Sequence, residues 1–92
     1  MAYCALFFDH SGMRLGGEND NAQRLLAIGT AIRACRRLRG ISQEALAYSA
    51  DIDRSHMGKI ERGERNVSLL NLIRICTALQ TRPSEILAAA GC

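Results

Sequence analysis

From Ala22 onward the apolar residues of this chain recur at helical rather than strand spacing. Leu25, Ile28, Ile32 and Cys35 follow one another at three and four residues, laying one stripe along a helix that runs to about Arg39 and ends at Gly40. A shorter helix starts behind Ser42, whose hydroxyl caps free backbone amides, with Gln43 and Glu44 in its first turn and Leu46 and Ala47 inward. Ala50-Asp51 breaks it, because Asp tolerates the left-handed backbone of a turn, and Ile52 is a lone apolar plug. Asp53 caps a third helix that buries Met57 and Ile60 and stops at Gly63. Ser68 caps a fourth, with Leu69, Leu72, Ile73, Cys76 and Leu79 on one side and Leu70 and Ile75 off that stripe. Pro83 suits the first turn of a fifth, where its missing amide costs nothing, with Ile86 and Leu87 inward and Gly91 at its end. The pattern predicts an all-α fold of five helices with no required strand.

Residues 1–21 obey a different rule. An apolar run, AYCALFF, is followed by DHSGMRLGGENDN, whose glycines and polar residues read as turn and linker. The segment is set apart as an N-terminal arm or linker, and residues 22–92 as the folded domain. Two readings of the arm stand side by side: a loose leader, or an apolar segment in which Leu6, Phe7 and Phe8 pack on the domain, on a second subunit or on a protein partner.

Composition narrows the picture. A chain of 92 residues that is 48% apolar suits one compact domain and excludes a wholly disordered class. Its aromatics are Tyr3, Phe7, Phe8 and Tyr48, so the core is aliphatic. The net charge of +3 says little, but nine of the 12 Lys and Arg residues fall between 22 and 66, against five acidic ones. Such a local field is what phosphate neutralisation requires.

Cys4, Cys35, Cys76 and Cys92 form no CxxC pair and have no His at zinc spacing, so no structural metal is expected; Cys35 and Cys76 read as small core residues. A reducing cytoplasm suits all four, and no apolar run approaches the roughly 18–20 residues of a membrane span. His10 and His56 are the only histidines, and no carboxylate pair, Cys–His spacing or glycine-rich phosphate loop points to catalysis or to a cofactor.

Ser42 to Asn66 therefore reads as two short helices joined by a tight turn, the second with a polar, basic outer face, which is a helix-turn-helix. Ser42-Gln43-Glu44, Leu46-Ala47, Ile52, Ile60-Glu61-Arg62-Gly63 and Ser68-Leu69 resemble the Cro/repressor-type (XRE) family over roughly residues 25–90. Asp53-Arg54-Ser55-His56 and Glu64 to Leu69 look most like the restriction–modification controller proteins within it, although His56 stands where controllers often carry tyrosine.

The resemblance implies a lambda-repressor-like domain with the helix-turn-helix at its second and third helices, acting as a sequence-specific transcriptional regulator. A helix of that size enters the major groove N-terminus first, which makes Arg54, Ser55, His56 and Lys59 the candidate base readers. Ser42, Gln43, Asp53 through its amide, Arg62, Arg65 and Asn66 match positions that hold phosphates, setting register without reading sequence. Arg36 and Glu61 match a buried ion pair. The implied partners are double-stranded DNA with a palindromic operator and a second copy of the chain, bound through the fourth and fifth helices with Leu70, Ile75 and Ile86 as candidates. Two alternatives keep the fold: an antitoxin whose N-terminal arm meets a toxin, and a protein-interaction domain that has lost DNA binding.

Overall fold

The computed structural model describes residues 18–92; AYCALFF and the expected packing of Leu6, Phe7 and Phe8 lie outside the described residues. Five helices follow in order: α1 Glu18–Leu38, α2 Gln43–Ala50, α3 Arg54–Glu61, α4 Leu69–Leu79 and α5 Pro83–Ala89. No strand occurs among the described residues. α1 starts at Glu18, ahead of the expected Ala22, because its first turn is held by polar residues that carry no apolar stripe. Asp20 pairs with Arg24 one turn on at 3.0 Å, and an acidic group there suits the positive end of the helix.

Every later helix start is capped. Ser42 Oγ accepts the Ala45 amide at 3.0 Å, Asp53 Oδ2 the Ser55 amide at 3.1 Å and Ser68 Oγ the Asn71 amide at 3.1 Å. The α5 start is held by Glu85, which accepts from the Arg82 amide at 3.4 Å and from the Thr81 hydroxyl. All five helices end alike, with a left-handed residue and a pair of backbone bonds reaching back over the last turn, as at Gly63 N–H to Ile60 O (3.1 Å) and Glu64 N–H to Lys59 O (2.8 Å). At Asp51 (φ 59°) and Gln80 (φ 58°) this turn is made without glycine, so nothing in the sequence around Gln80 announces it.

The core draws on every helix: Ile32 from α1, Leu46, Ala47 and Ala50 from α2, Met57 and Ile60 from α3, Leu72, Ile75, Cys76 and Leu79 from α4, and Ile86 from α5, with Ile52 plugging the α2–α3 turn. α2 lies between α3 and α4, while α1 packs against α3 and α5.

Two expectations need correction. α4 is turned so that Ile75, not Ile73 or Leu69, completes the buried face with Leu72, Cys76 and Leu79. Leu69 and Ile73 are exposed instead, because α2 and α5 cover α4 from the side on which Ile75 lies. Ile75 and Ile86 are 0% and 3% exposed and offer no surface to a second subunit, whereas Leu70 is 68% exposed.

Candidate nucleic-acid interface

The residues of α3 divide between two faces. Met57, Ile60 and Glu61 are buried on the inner one, Arg54, Ser55 and the following Arg62 are exposed on the outer one, and His56 and Lys59 are half-buried between them, with Gly58 buried beneath the outer side chains. The inner face is held by close approach to α1. A Cβ on Gly29 would stand 2.4 Å from the Ile60 carbonyl oxygen and 2.5 Å from that of Glu61, so only a glycine lets α1 cross α3 there. Gly63 does the same one turn away, where a Cβ would meet Leu26 Cα at 2.7 Å. Neither contact is visible in hydrophobic periodicity. The sequence signal was a glycine inside a strongly helical stretch, which costs about 1 kcal/mol relative to Ala unless packing needs it.

A charged clamp completes the lock. Arg36 donates from Nε to Glu61 Oε2 at 2.7 Å and from Nη2 to Oε1 at 3.0 Å, and its Nη1 donates to the Ile41 carbonyl at 3.0 Å. Gln43 Nε2 adds a bond to Glu61 Oε1 at 3.0 Å. The side chains of Arg36 and Glu61 are 11% and 1% exposed, so the pair is withdrawn from water, and each of its nitrogen and oxygen atoms has a hydrogen-bond partner. α1, the start of α2 and the end of α3 thereby become one unit, and the outer face of α3 is presented at a fixed angle.

On that outer face Gln43, Arg54, Ser55, Gly58, Lys59 and Arg62 surround one open depression. The structure thus brings three candidate base readers together with two candidate phosphate contacts. Gly58, not singled out from the sequence, forms its floor: a Cβ there would stand 3.2 Å from Arg62 Nη1 and 3.3 Å from Gln43 Oε1.

The electrostatics of the face vary along it. Arg54 and Arg65 form no ion pair or hydrogen bond through their side chains among the described residues. Ser55 donates its hydroxyl proton to Asp53 Oδ2, which leaves only oxygen lone pairs facing outward, so Ser55 is an acceptor here. That bond, followed by the His56 and Ser55 amides, holds the Asp53 carboxyl below the usual carboxylate range.

Arg62 is engaged: its Nε and Nη2 meet Glu64 Oε2 and Oε1 at 3.0 and 3.2 Å, which lowers the Glu64 pKa and raises that of Arg62. Both partners are about half exposed, so solvent screens this pair and it is readily exchanged for a phosphate. Gln43 is tied by its amide to Glu61, and Ser42 spends one lone pair on its cap. Asn66 lies exposed beside Arg65 in the loop before α4. Among the described residues no group of three metal-ligating side chains occurs.

A free fork of arginine and a hydroxyl acceptor on the leading turn of an eight-residue helix, with a lysine in its last turn and braced from behind, is the form of a DNA-reading helix-turn-helix. The chain belongs to the helix-turn-helix family HTH_3, whose model matches residues 32–86, and it is a DNA-binding transcriptional regulator. Within that family it is similar to the control protein C.BamHI of Bacillus amyloliquefaciens, 41% identical over 63 residues that cover 67% of this chain and 78% of that protein. It is also similar to the control protein C.SmaI of Serratia marcescens, 38% identical over 60 residues covering 65% and 71% of the two chains. Among solved structures, the restriction-modification controller protein C.AhdI from Aeromonas hydrophila superposes with a TM-score of 0.66 at 45% identity, covering 67% of this chain and 94% of that one. The clp gene regulator ClgR from Corynebacterium glutamicum gives 0.72 at 29% identity over 75% and 72%. No described helix is long and apolar enough to cross a membrane.

Proposed function

We propose that this regulator is the controller of a restriction–modification operon and binds a palindromic operator as a symmetric dimer. The observation that carries the DNA-reading part is the unpaired, exposed Arg54 at the first position of α3, beside the outward oxygen of Ser55 and the half-buried Lys59. Arg54 takes a guanine through O6 and N7, a pairing worth about 1–3 kcal/mol of discrimination. His56 and Lys59 read the neighbouring base edges. Arg65, Asn66, the Ser42 hydroxyl, the Gln43 and Asp53 amides, and Arg62 after release from Glu64 meet phosphates on either side.

One eight-residue helix covers too few base pairs to select a site in a genome, and a two-fold pair of half-sites about 34 Å apart doubles the reading. Exposed Leu69, Leu70 and Ile73 on α4 supply the apolar surface for the second copy, in place of the buried Ile75 and Ile86. The similarity to control proteins C.BamHI and C.SmaI supports the operon assignment.

Selection of bound sequences from a random duplex library tests the reading, followed by titration of the enriched duplex at two salt concentrations with wild type and Arg54→Ala. A palindrome is expected, with steep salt dependence, and the variant loses about 1–3 kcal/mol and relaxes preference at one symmetric base pair. Absence of any enriched sequence overturns it. Leu70→Glu is expected to give a monomer in sedimentation, and a persistent dimer rejects the α4 interface.

A further inference from the structure

An apolar groove of about 670 Å³ runs between α1 and α5, away from the face that reads DNA. Its floor is made of small residues, Ala31 and Ala34 from α1 and Ala89 and Ala90 from α5, and Leu26 and Leu38 stand along it at 53% and 88% exposure. A volume of this order is that of a whole ligand site, about 300–1,000 Å³, and far more than one side chain needs. The alanines make the depth: they leave room that bulkier residues would have filled.

We propose that the occupant of this groove is the chain's own N-terminal arm, Tyr3 to Phe8, docked within the same molecule. The lengths agree. Leu26 and Leu38 are twelve residues apart on α1, about 18 Å along the helix, and Tyr3 to Phe8 in extended form spans about 17 Å. Nine residues, Asp9 to Gly17, separate the arm from the start of α1 and reach up to about 30 Å, the length of α1 itself. Gly12, Gly16 and Gly17 let the connection turn back on the helix it precedes.

The shapes agree as well. The arm carries Tyr3, Leu6, Phe7 and Phe8, three of the four aromatics of a chain whose folded domain has an aliphatic core, and the groove offers small side chains on which large rings fit. Tethering decides between the arm and a second molecule: a short link gives an effective concentration in the millimolar range, well above that of a regulator in solution. The second copy keeps α4, whose Leu69, Leu70 and Ile73 form a separate exposed patch. The arm is thus a sixth element that seals the back of the domain.

Methyl and aromatic NMR of the full chain tests this, compared with a chain lacking residues 2–8 and with Ala34→Arg, an exposed groove position where a long cation blocks the floor. Expected are proton contacts between the rings of Tyr3, Phe7 or Phe8 and the methyls of Ala34 and Ala89, unchanged on tenfold dilution. Ala34→Arg abolishes them while the core methyls of Leu72 and Ile75 keep their shifts. Thermolysin cleavage at Phe7–Phe8 then accelerates about tenfold or more in Ala34→Arg, because it follows the population of the released arm. Ring–methyl contacts that are absent overturn the proposal. So do contacts that appear only between differently labelled molecules, or groove methyls that shift with concentration equally in the deletion variant, either of which makes a second copy the occupant.

Discussion

The two faces of α3 share eight residues and one backbone, yet the side chains that fix the inner face differ from those that the outer one presents. Inside, Met57, Ile60 and Glu61 meet α1 so closely that a glycine stands at the crossing, and every polar atom of the Arg36–Glu61 pair that faces inward is engaged. Outside, Arg54 is unpaired, Arg62 is held only by an exposed carboxylate and Gly58 keeps the surface open. The difference teaches how a short helix becomes a reading device. An isolated helix of this length is not stable in water, so its shape comes from the buried side while its chemistry is left to the exposed side.

The largest break comes from the clamp. Arg36→Met leaves the Glu61 carboxylate buried without its cation and is expected to cost about 3–5 kcal/mol, read by urea unfolding. Should stability stay within 1 kcal/mol of wild type, the clamp does not hold α3. Next is Gly29→Ala, which drives a methyl into two backbone carbonyls of α3; despite the better helix propensity of alanine, a net loss of about 2–3 kcal/mol is expected in thermal unfolding. A neutral or stabilising result means that α1 slides freely along α3.

Smaller effects sharpen the outer side. Glu64→Gln releases Arg62 and is expected to leave folding stability nearly unchanged while tightening operator binding at low salt. Unchanged affinity removes Arg62 from the phosphate contacts.

The acid limb gives the smallest effect. Asp53, held by Ser55 and two amides, has a folded pKa below its unfolded value, so it binds protons less readily when folded. Its contribution is present above the unfolded pKa, about 4, and is lost as pH falls through the lower folded one. Asp53→Asn is expected to be less stable than wild type at neutral pH and to converge with it as pH falls through the acid window, and an offset that persists unchanged at low pH points to a purely structural cap.

Much of this is legible in the sequence alone, and the reason is local chemistry. Ser42, Asp53 and Ser68 announce helix starts through hydrogen bonds made within three residues, Gly63 an end through its left-handed backbone and Pro83 a start through the amide it lacks, and these survive any change in packing. The motif residues Arg54, Ser55, Lys59 and Gln43 fall around one depression for the same reason, since the turn at Asp51 and Ile52 fixes how α3 leaves α2. Long-range packing was not legible. Ile75 and Leu69 are equally apolar, and only the positions of α2 and α5 decide that the first is core and the second surface. The start of α1 at Glu18, the left-handed Gln80 and the contact through Gly29 likewise leave no periodic trace.

Cys76 carries a use of its own. It is wholly enclosed between α4 and the rest of the core, and burial pushes its thiol up to about 11, so at neutral pH the native residue is almost entirely protonated and inert toward alkylation. When the core opens, the same residue becomes an ordinary reactive thiol. Where the reagent alkylates faster than the core recloses, its modification counts opening events, one per molecule, and at lower reagent the rate reports the population of the open state instead. The chain holds a built-in stopwatch for its own breathing, readable by mass spectrometry of the Cys76 peptide with no probe residue introduced.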